Sequence, residues 1–284
     1  MSSRVSGQYD SPSHDPRAWD DTALQRALDR AGDGTWGPIA VLPSTGSTNA
    51  DAVDQVGEGA PEGFTVVADE QTAGRGRLDR SWASPYGAGI AMSVVLRPIA
   101  PEPTWSWIPL VAGVAVVDAL AEQGVHAALK WPNDVVVDGA ARDGSPGPRK
   151  LGGLLVERVG AAVVVGIGLN VDLDADELPV PRASSTRLEG ATVSREVLVV
   201  DVLDHLRRRY LHWQLASGDA RRAGALEAYA ERCLTLGRTV RALLPGGAVV
   251  EAVAESLDDH GRLVLRTPDG ATRVVSAGDV EHLR

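Results

Sequence analysis

The chain is short of lysine and nearly devoid of cysteine. Two lysines, Lys130 and Lys150, stand among 28 basic residues, and Cys233 is the sole cysteine in 284 residues. One thiol excludes an intramolecular disulfide. With Glu231 and Arg232 beside it and no neighbouring histidine, Cys233 reads as a small buried apolar residue rather than a nucleophile. The sequence lacks a long uncharged apolar run, so no segment is expected to span a bilayer. The opening residues MSSRVSGQYDSPSHDP have no hydrophobic signal core, and residues 1–18 read as a disordered leader. Acid exceeds base, 38 to 28, for a formal charge of −10. That balance argues against DNA or an anionic membrane as a partner, because each needs a net basic face. No G-x-x-x-x-G-K-[ST] loop occurs, so the P-loop route to phosphate binding is excluded. What remains is an expected cytoplasmic protein with chain enough for one large domain and one small one.

The scarcity of lysine sharpens interest in the two that are present. Lysine is a compact mobile charge and arginine a planar fork, so some sites cannot exchange them. Coding bias toward arginine accounts for the surface at least cost. Both lysines nevertheless open marked segments, KWPND and KLGG.

Periodicity divides the chain. Helical spacing is read over Asp20–Ala31, from Ser47 or Thr48 onward, Trp105–Gln123, Arg195–Trp213 and Ala220–Leu234. Strands are expected at Ile39–Leu42, Phe64–Ala68, Ile90–Leu96, Leu129–Trp131, Val135–Val137, Leu151–Val159 and Ala162–Val171. Gly139–Arg149 (GAARDGSPGPR) reads as a solvent-facing hairpin tip. Near Leu236 the pattern changes to four short strands separated by Pro-Gly-Gly, Asp-His-Gly and Pro-Asp-Gly, which suggests a small all-β barrel.

Five segments carry candidate chemistry, and each has a plain structural reading beside it. In GRGRLDR, Gly74 to Arg80, glycines allow main-chain N–H groups to converge on an anion, and Arg75, Arg77 and Arg80 add forked donors. A solvated basic loop would look the same. KWPND sets Asn133 and Asp134 at a strand end, though Pro-Asn-Asp is also common turn chemistry. In KLGGLLVE a lysine at a strand mouth precedes two glycines that let a ligand approach the backbone; a bulge would too. GIGLNV lacks the third glycine and the helix of a dinucleotide fingerprint, so it reads as a strand whose missing side chains leave a ligand floor. STN, Ser47 to Asn49, is a helix start with polar groups to offer, or simply a cap.

In this order, STNADA, ADEQTAGRGRLDRSW, KWPNDVVVDG, KLGGLLVE and GIGLNV resemble the biotin–protein ligase family, and the tail GRLVLRTPDGATRVVSAGDVEHLR resembles its SH3-like C-terminal domain. The resemblance implies an α+β fold: a mixed β-sheet catalytic domain flanked by helices over residues 19–235, of class II synthetase-like type, then an SH3-like barrel over 236–284. It implies ATP-dependent formation of biotinyl-5′-AMP, with Mg²⁺, and transfer of biotin to a lysine of an apo biotin carboxyl carrier domain. By matched position, Ser47, Thr48, Asn49, Gln71, Arg75, Gly76, Arg77, Lys150, Gly153 and Gly168 would hold biotin. Arg80, Trp82, Asn133, Lys150 and Asn170 would hold the nucleotide. Arg77 and Lys150 would be catalytic, Gly152 would add backbone surface, and the metal ligands are undefined. The loop from Gly74 to Ser84 is expected to close over the adenylate.

The chain departs from the family pattern at Leu78-Asp79, where an acid sits inside the anion-binding loop, and in the long Gly139–Arg149 insert, read as placed to touch the acceptor. Some family members carry an N-terminal DNA-reading module. One helix before Ser47 does not make one, so no repressor role is expected. The rival readings are a lipoate or octanoate ligase of the related family, and a non-enzymatic biotin sensor.

Overall fold

Runs of β-branched residues build the centre of the molecule. The computed structural model describes residues 18–30, 36–77, 80–82, 85–243, 247–276 and 279–283. Most of the expected leader, Leu78-Asp79 and Ser84 lie outside the described residues. The seven-stranded sheet runs β1-β2-β3-β7-β6-β5-β4. Its strands are β1 (Ile39–Leu42), β2 (Thr65–Ala68), β3 (Gly89–Leu96), β4 (Ala128–Lys130), β5 (Asp134–Val137), β6 (Arg149–Val159) and β7 (Ala162–Asn170). β1 and β2 are parallel and every other neighbouring pair is antiparallel.

Alternation along the strands decides where the site sits. On β3 and β7, Ile90, Met92, Val94, Val163, Val165, Ile167 and Leu169 join the main core with α3 (Ile108–Glu122) and α4 (Arg195–Leu215). The intervening residues Ser93, Gly166, Gly168 and Asn170 therefore turn to the other face. There α2 (Thr48–Gly57) packs Ala52 against Val66, Val95 and Val164. α1 (Asp21–Arg30) is anchored through Trp19: its N–H donates to Asp69 at 3.1 Å, and the Arg195 guanidinium lies 4.3 Å over its ring.

Contrary to the sequence expectation, Glu102–Glu122 form a helical run long and apolar enough, by length and composition, to cross a bilayer. A 3-10 stretch, Glu102–Trp107, leads into α3, whose residues from Leu110 to Val117 are all buried. Apolarity on all sides is what a core helix requires. The expected helix over Ala220–Leu234 is shorter, α5 (Ala225–Arg232), because Gly224 precedes it with φ +65°.

The tail forms an antiparallel sheet in the order β11-β10-β9-β8-β12. Its strands are β8 (Thr239–Leu243), β9 (Val249–Leu257), β10 (Leu263–Arg266), β11 (Thr272–Val275) and β12 (Asp279–His282). The sequence reading gives four strands; β12 is the fifth. It escapes a hydrophobic pattern because it offers one apolar residue, Val280, and pairing with β8 defines it.

His282 on β12 is held low, at about 4, by burial and by the nearby cations Lys130 and Arg238, against the pull of Asp138. Below the ordinary value of 6.5 the unfolded chain takes up a proton that the folded chain refuses until about 4. Stability is therefore expected to fall across that window. A His282→Gln variant should flatten the pH dependence of the melting temperature there; an unchanged slope would overturn the assignment.

Candidate functional site

The face of β7 turned away from α3 and α4 floors a cavity of about 280 Å³. The described wall carries six basic side chains, Arg75, Arg77, Arg80, Lys130, Lys150 and Arg182, and one carboxylate, Asp134. In a chain of charge −10 this is a strong local reversal. Low-dielectric walls focus such a field onto anionic ligands. Trp82, Trp131 and Leu155 add apolar surface. All the candidate residues named from the sequence border this cavity except Gly152.

At one end the start of α2 supplies polar groups. Ser47 is the N-cap residue but makes no side-chain cap bond. Instead the Thr48 N–H donates to Gln71 Oε1 at 2.9 Å, and its hydroxyl lies 3.1 Å from the same oxygen. Asn49 Nδ2 donates to Glu157 at 2.7 Å, and Asn49 Oδ1 accepts from the Ser93 hydroxyl at 2.6 Å. Arg75 reaches Glu157 at 3.3 Å. Ser93 and Glu157, which carried no role in the sequence reading, thus fix the walls of this end.

At the other end the β4–β5 turn presents Asn133. Its oxygen accepts from Arg77 at 3.0 Å and its amide donates to the Leu154 carbonyl at 2.8 Å. Asn170 is buried and donates to the Ser184 carbonyl at 2.9 Å. Lys150 Nζ lies 2.5 Å from Asp134 Oδ1 and 5.8 Å from the centre of the Trp82 ring. Asp134 is its ion-pair partner. Both lysines of the chain border this one cavity.

The glycines have distinct reasons. A Cβ on Gly168 would come within 2.7 Å of the Trp82 indole, so the bare backbone seats that ring. A Cβ on Gly153 would lie 3.2 Å from Lys150 Nζ. Gly152 corrects the expectation of a pocket surface: its Cβ would meet the Gly168 carbonyl at 2.4 Å and Leu169 at 2.5 Å, so it serves close packing of β6 on β7.

The sequence reading missed Pro179, Val180, Arg182 and Ala183, which close one side of the cavity. They arrive there because Lys150 and Ala183 form a parallel bridge, with the Lys150 N–H donating to the Arg182 carbonyl at 2.6 Å. The same segment pins the 139–149 hairpin. Arg142 donates to the carbonyls of Ala175 and Val180, and Arg182 donates to that of Pro146. The hairpin is therefore braced at its base while most of it stays exposed, a solvent-facing extension as expected.

Comparison with known proteins gives a consistent result. A family model described as "Biotin/lipoate A/B protein ligase family" matches residues 41–174. A second, "Biotin protein ligase C terminal domain", matches residues 235–283. A biotin--[acetyl-CoA-carboxylase] ligase of Mycobacterium tuberculosis is 39% identical over 93% of this chain and 96% of its own length. A biotin protein ligase from Aquifex aeolicus, solved in complex with biotin and ATP, aligns with a TM-score of 0.72 and 27% identity over 87% of this chain and 98% of that one. Another from Leishmania major, in complex with biotinyl-5-AMP, gives a TM-score of 0.55 and 28% identity over 84% and 98%.

Proposed function

The chain belongs to the biotin protein ligase family, and on that premise we propose that it activates biotin with ATP and passes the biotinyl group to one lysine of a biotin carboxyl carrier domain. The observation that carries this reading is the cavity itself: six cations and one carboxylate over a glycine floor. Two anions, the biotin carboxylate and the ATP α-phosphate, must meet there.

A biotin carboxylate oxygen attacks the α-phosphorus, and the bond to the bridging oxygen breaks. Pyrophosphate leaves, and biotinyl-5′-AMP is formed. Arg77 and Lys150 lie where they can neutralise charge that grows during this step. Ser47, Thr48, Asn49 and Gln71 take the polar head of biotin, while Trp82, Asn133, Asn170 and Arg80 hold the nucleotide. An uncharged acceptor amine then attacks the acyl carbon, AMP leaves, and the new amide sheds a proton. No nucleophile of the protein is needed.

Mg²⁺ would supply charge cover for the leaving pyrophosphate. Among the described residues, no group of three or more His, Cys, Asp or Glu could hold a metal ion. An ion carried in on the ATP phosphates would keep most of its waters, and Asp134, the one carboxylate on the described wall, stands paired with Lys150. We assign residues 19–235 to catalysis and 236–284 to the barrel, and place the enzyme in the cytoplasm.

Biotin-dependent exchange of pyrophosphate into ATP tests the reading, with lipoate and octanoate in parallel. Exchange is expected with biotin alone. Exchange driven by lipoate or octanoate instead would move the chain to the related ligases, and none with any acid would make it a sensor.

A further inference from the structure

We propose that Arg195 is a positioning residue for the segment between β2 and β3: paired with Asp69, it holds the two ends of that segment together and so sets Gln71, Arg77 and Trp82 against the cavity. This rests on the ligase reading above. The segment leaves β2 through Asp69 and rejoins β3 at Gly89. Arg195 Nη1 donates to Asp69 Oδ1 at 3.2 Å and to the Gly89 carbonyl at 3.3 Å, so one nitrogen spans both ends. The ends also meet directly. The Gly87 N–H donates to the Asp69 carbonyl at 3.0 Å, and the Tyr86 hydroxyl lies 3.5 Å from Asp69 Oδ2.

Neither residue of the pair borders the cavity. Arg195 opens α4, which packs on the other face of the sheet. A helix start is where a cation is least favoured, because the unpaired N–H groups there carry partial positive charge. The side chains of Arg195 and Asp69 are 9% and 4% exposed. Taking both charges out of water costs about as much as their attraction returns, so such a pair adds little net stability. Burial raises Asp69 above the ordinary carboxyl value, against the pull of the Trp19 N–H and of Arg195. A cation set against its own helix and a carboxylate set against its own solvation are poor devices for folding. They are good devices for deciding which two ends of chain meet.

Between those ends lie groups that reach opposite parts of the cavity. Gln71 Oε1 accepts the Thr48 N–H at 2.9 Å, Arg77 donates to Asn133 at 3.0 Å, and the Trp82 indole sits against the bare backbone of Gly168. On the ligase reading, biotin and the nucleotide each touch part of this segment, and biotinyl-5′-AMP touches all of it. Loosening the ends is therefore felt most in how long the adenylate is held, and least in folding.

The test uses the full chain carrying Asp69→Asn with Arg195→Met. The pair of changes removes both charges, leaves neither partner buried alone, and keeps an acceptor for the Trp19 N–H. Labelled biotinyl-5′-AMP is formed from biotin and ATP without acceptor, and its release is followed in a chase with excess unlabelled adenylate. Release is expected to be about tenfold faster, the worth of one charged hydrogen bond, at a melting temperature close to that of the parent. Arg209→Met is the control: it breaks an ion pair between α4 and Asp118 away from the cavity, and should lower the melting temperature without changing release. Unchanged release in the double variant, or an equal change with Arg209→Met, would overturn the proposal. If the double variant does not fold, Arg195→Lys reads the same joint. Its charge stays beside Asp69, but the shorter side chain holds one end where arginine holds two, so release should rise about threefold at the parent's melting temperature; unchanged release there also overturns the proposal. Failure of the parent chain to form biotinyl-5′-AMP would instead defeat the ligase reading itself.

Discussion

Lys150→Met is expected to lower biotin-dependent pyrophosphate exchange by about 100- to 1,000-fold, the usual cost of removing one preorganised charge from a transition state. Nζ is poised between the Asp134 carboxylate and the Trp82 ring, on a strand pinned at Ala183. Folding should hardly change. The Lys150–Asp134 pair is partly exposed, at 36% and 24%, and such pairs contribute about 0–1 kcal/mol. Loss of rate without loss of melting temperature would therefore locate the effect in the chemistry. Lys150→Arg should not rescue, since a planar fork cannot reproduce the compact charge that Nζ places 2.5 Å from Asp134 and 5.8 Å from the centre of the Trp82 ring. The competing explanation is that Lys150 serves only to neutralise Asp134. In that case Lys150→Met combined with Asp134→Asn would recover activity. If the double variant recovers, or Lys150→Met retains near-full exchange, the catalytic assignment fails.

Much of this site is written locally. A lysine before two glycines, a proline-broken strand and a glycine-arginine loop are contiguous, and each announces an unusual backbone need. The fold class follows from strand and helix periods for the same reason, and the family resemblance supplies which ligand the segments serve. What is not local is not legible. Arg182 belongs to the cavity because its carbonyl takes the Lys150 N–H across 32 residues of chain. Arg195 looks like an ordinary helix start until α4 brings it to Asp69, 126 residues away. Gly152 and Gly153 are adjacent in sequence yet serve packing and pocket respectively, because successive residues of β6 face opposite sides.

The same alternation gives the second large effect, at Gly166. It lies on β7 beneath Asn49, and a Cβ there would sit 2.1 Å from Asn49 Oδ1 and 2.9 Å from Cγ. Asn49 cannot step aside cheaply. It is 4% exposed, and its amide is held at both ends, by Glu157 at 2.7 Å and by Ser93 at 2.6 Å. Gly166→Ala must break one of those bonds or move α2. Leaving one or two buried polar groups unpaired costs about 1–3 kcal/mol each, so biotin affinity is expected to fall by about 100-fold. Asn49→Ala alone should weaken biotin as well, but it empties the space the new methyl needs. Adding Gly166→Ala to Asn49→Ala should then cost almost nothing more, a coupling of about 1–3 kcal/mol between touching residues. Calorimetric titration of biotin into the four proteins measures it. Equal losses from Gly166→Ala in both backgrounds would mean that the glycine is required for the strand and not for the seat of Asn49.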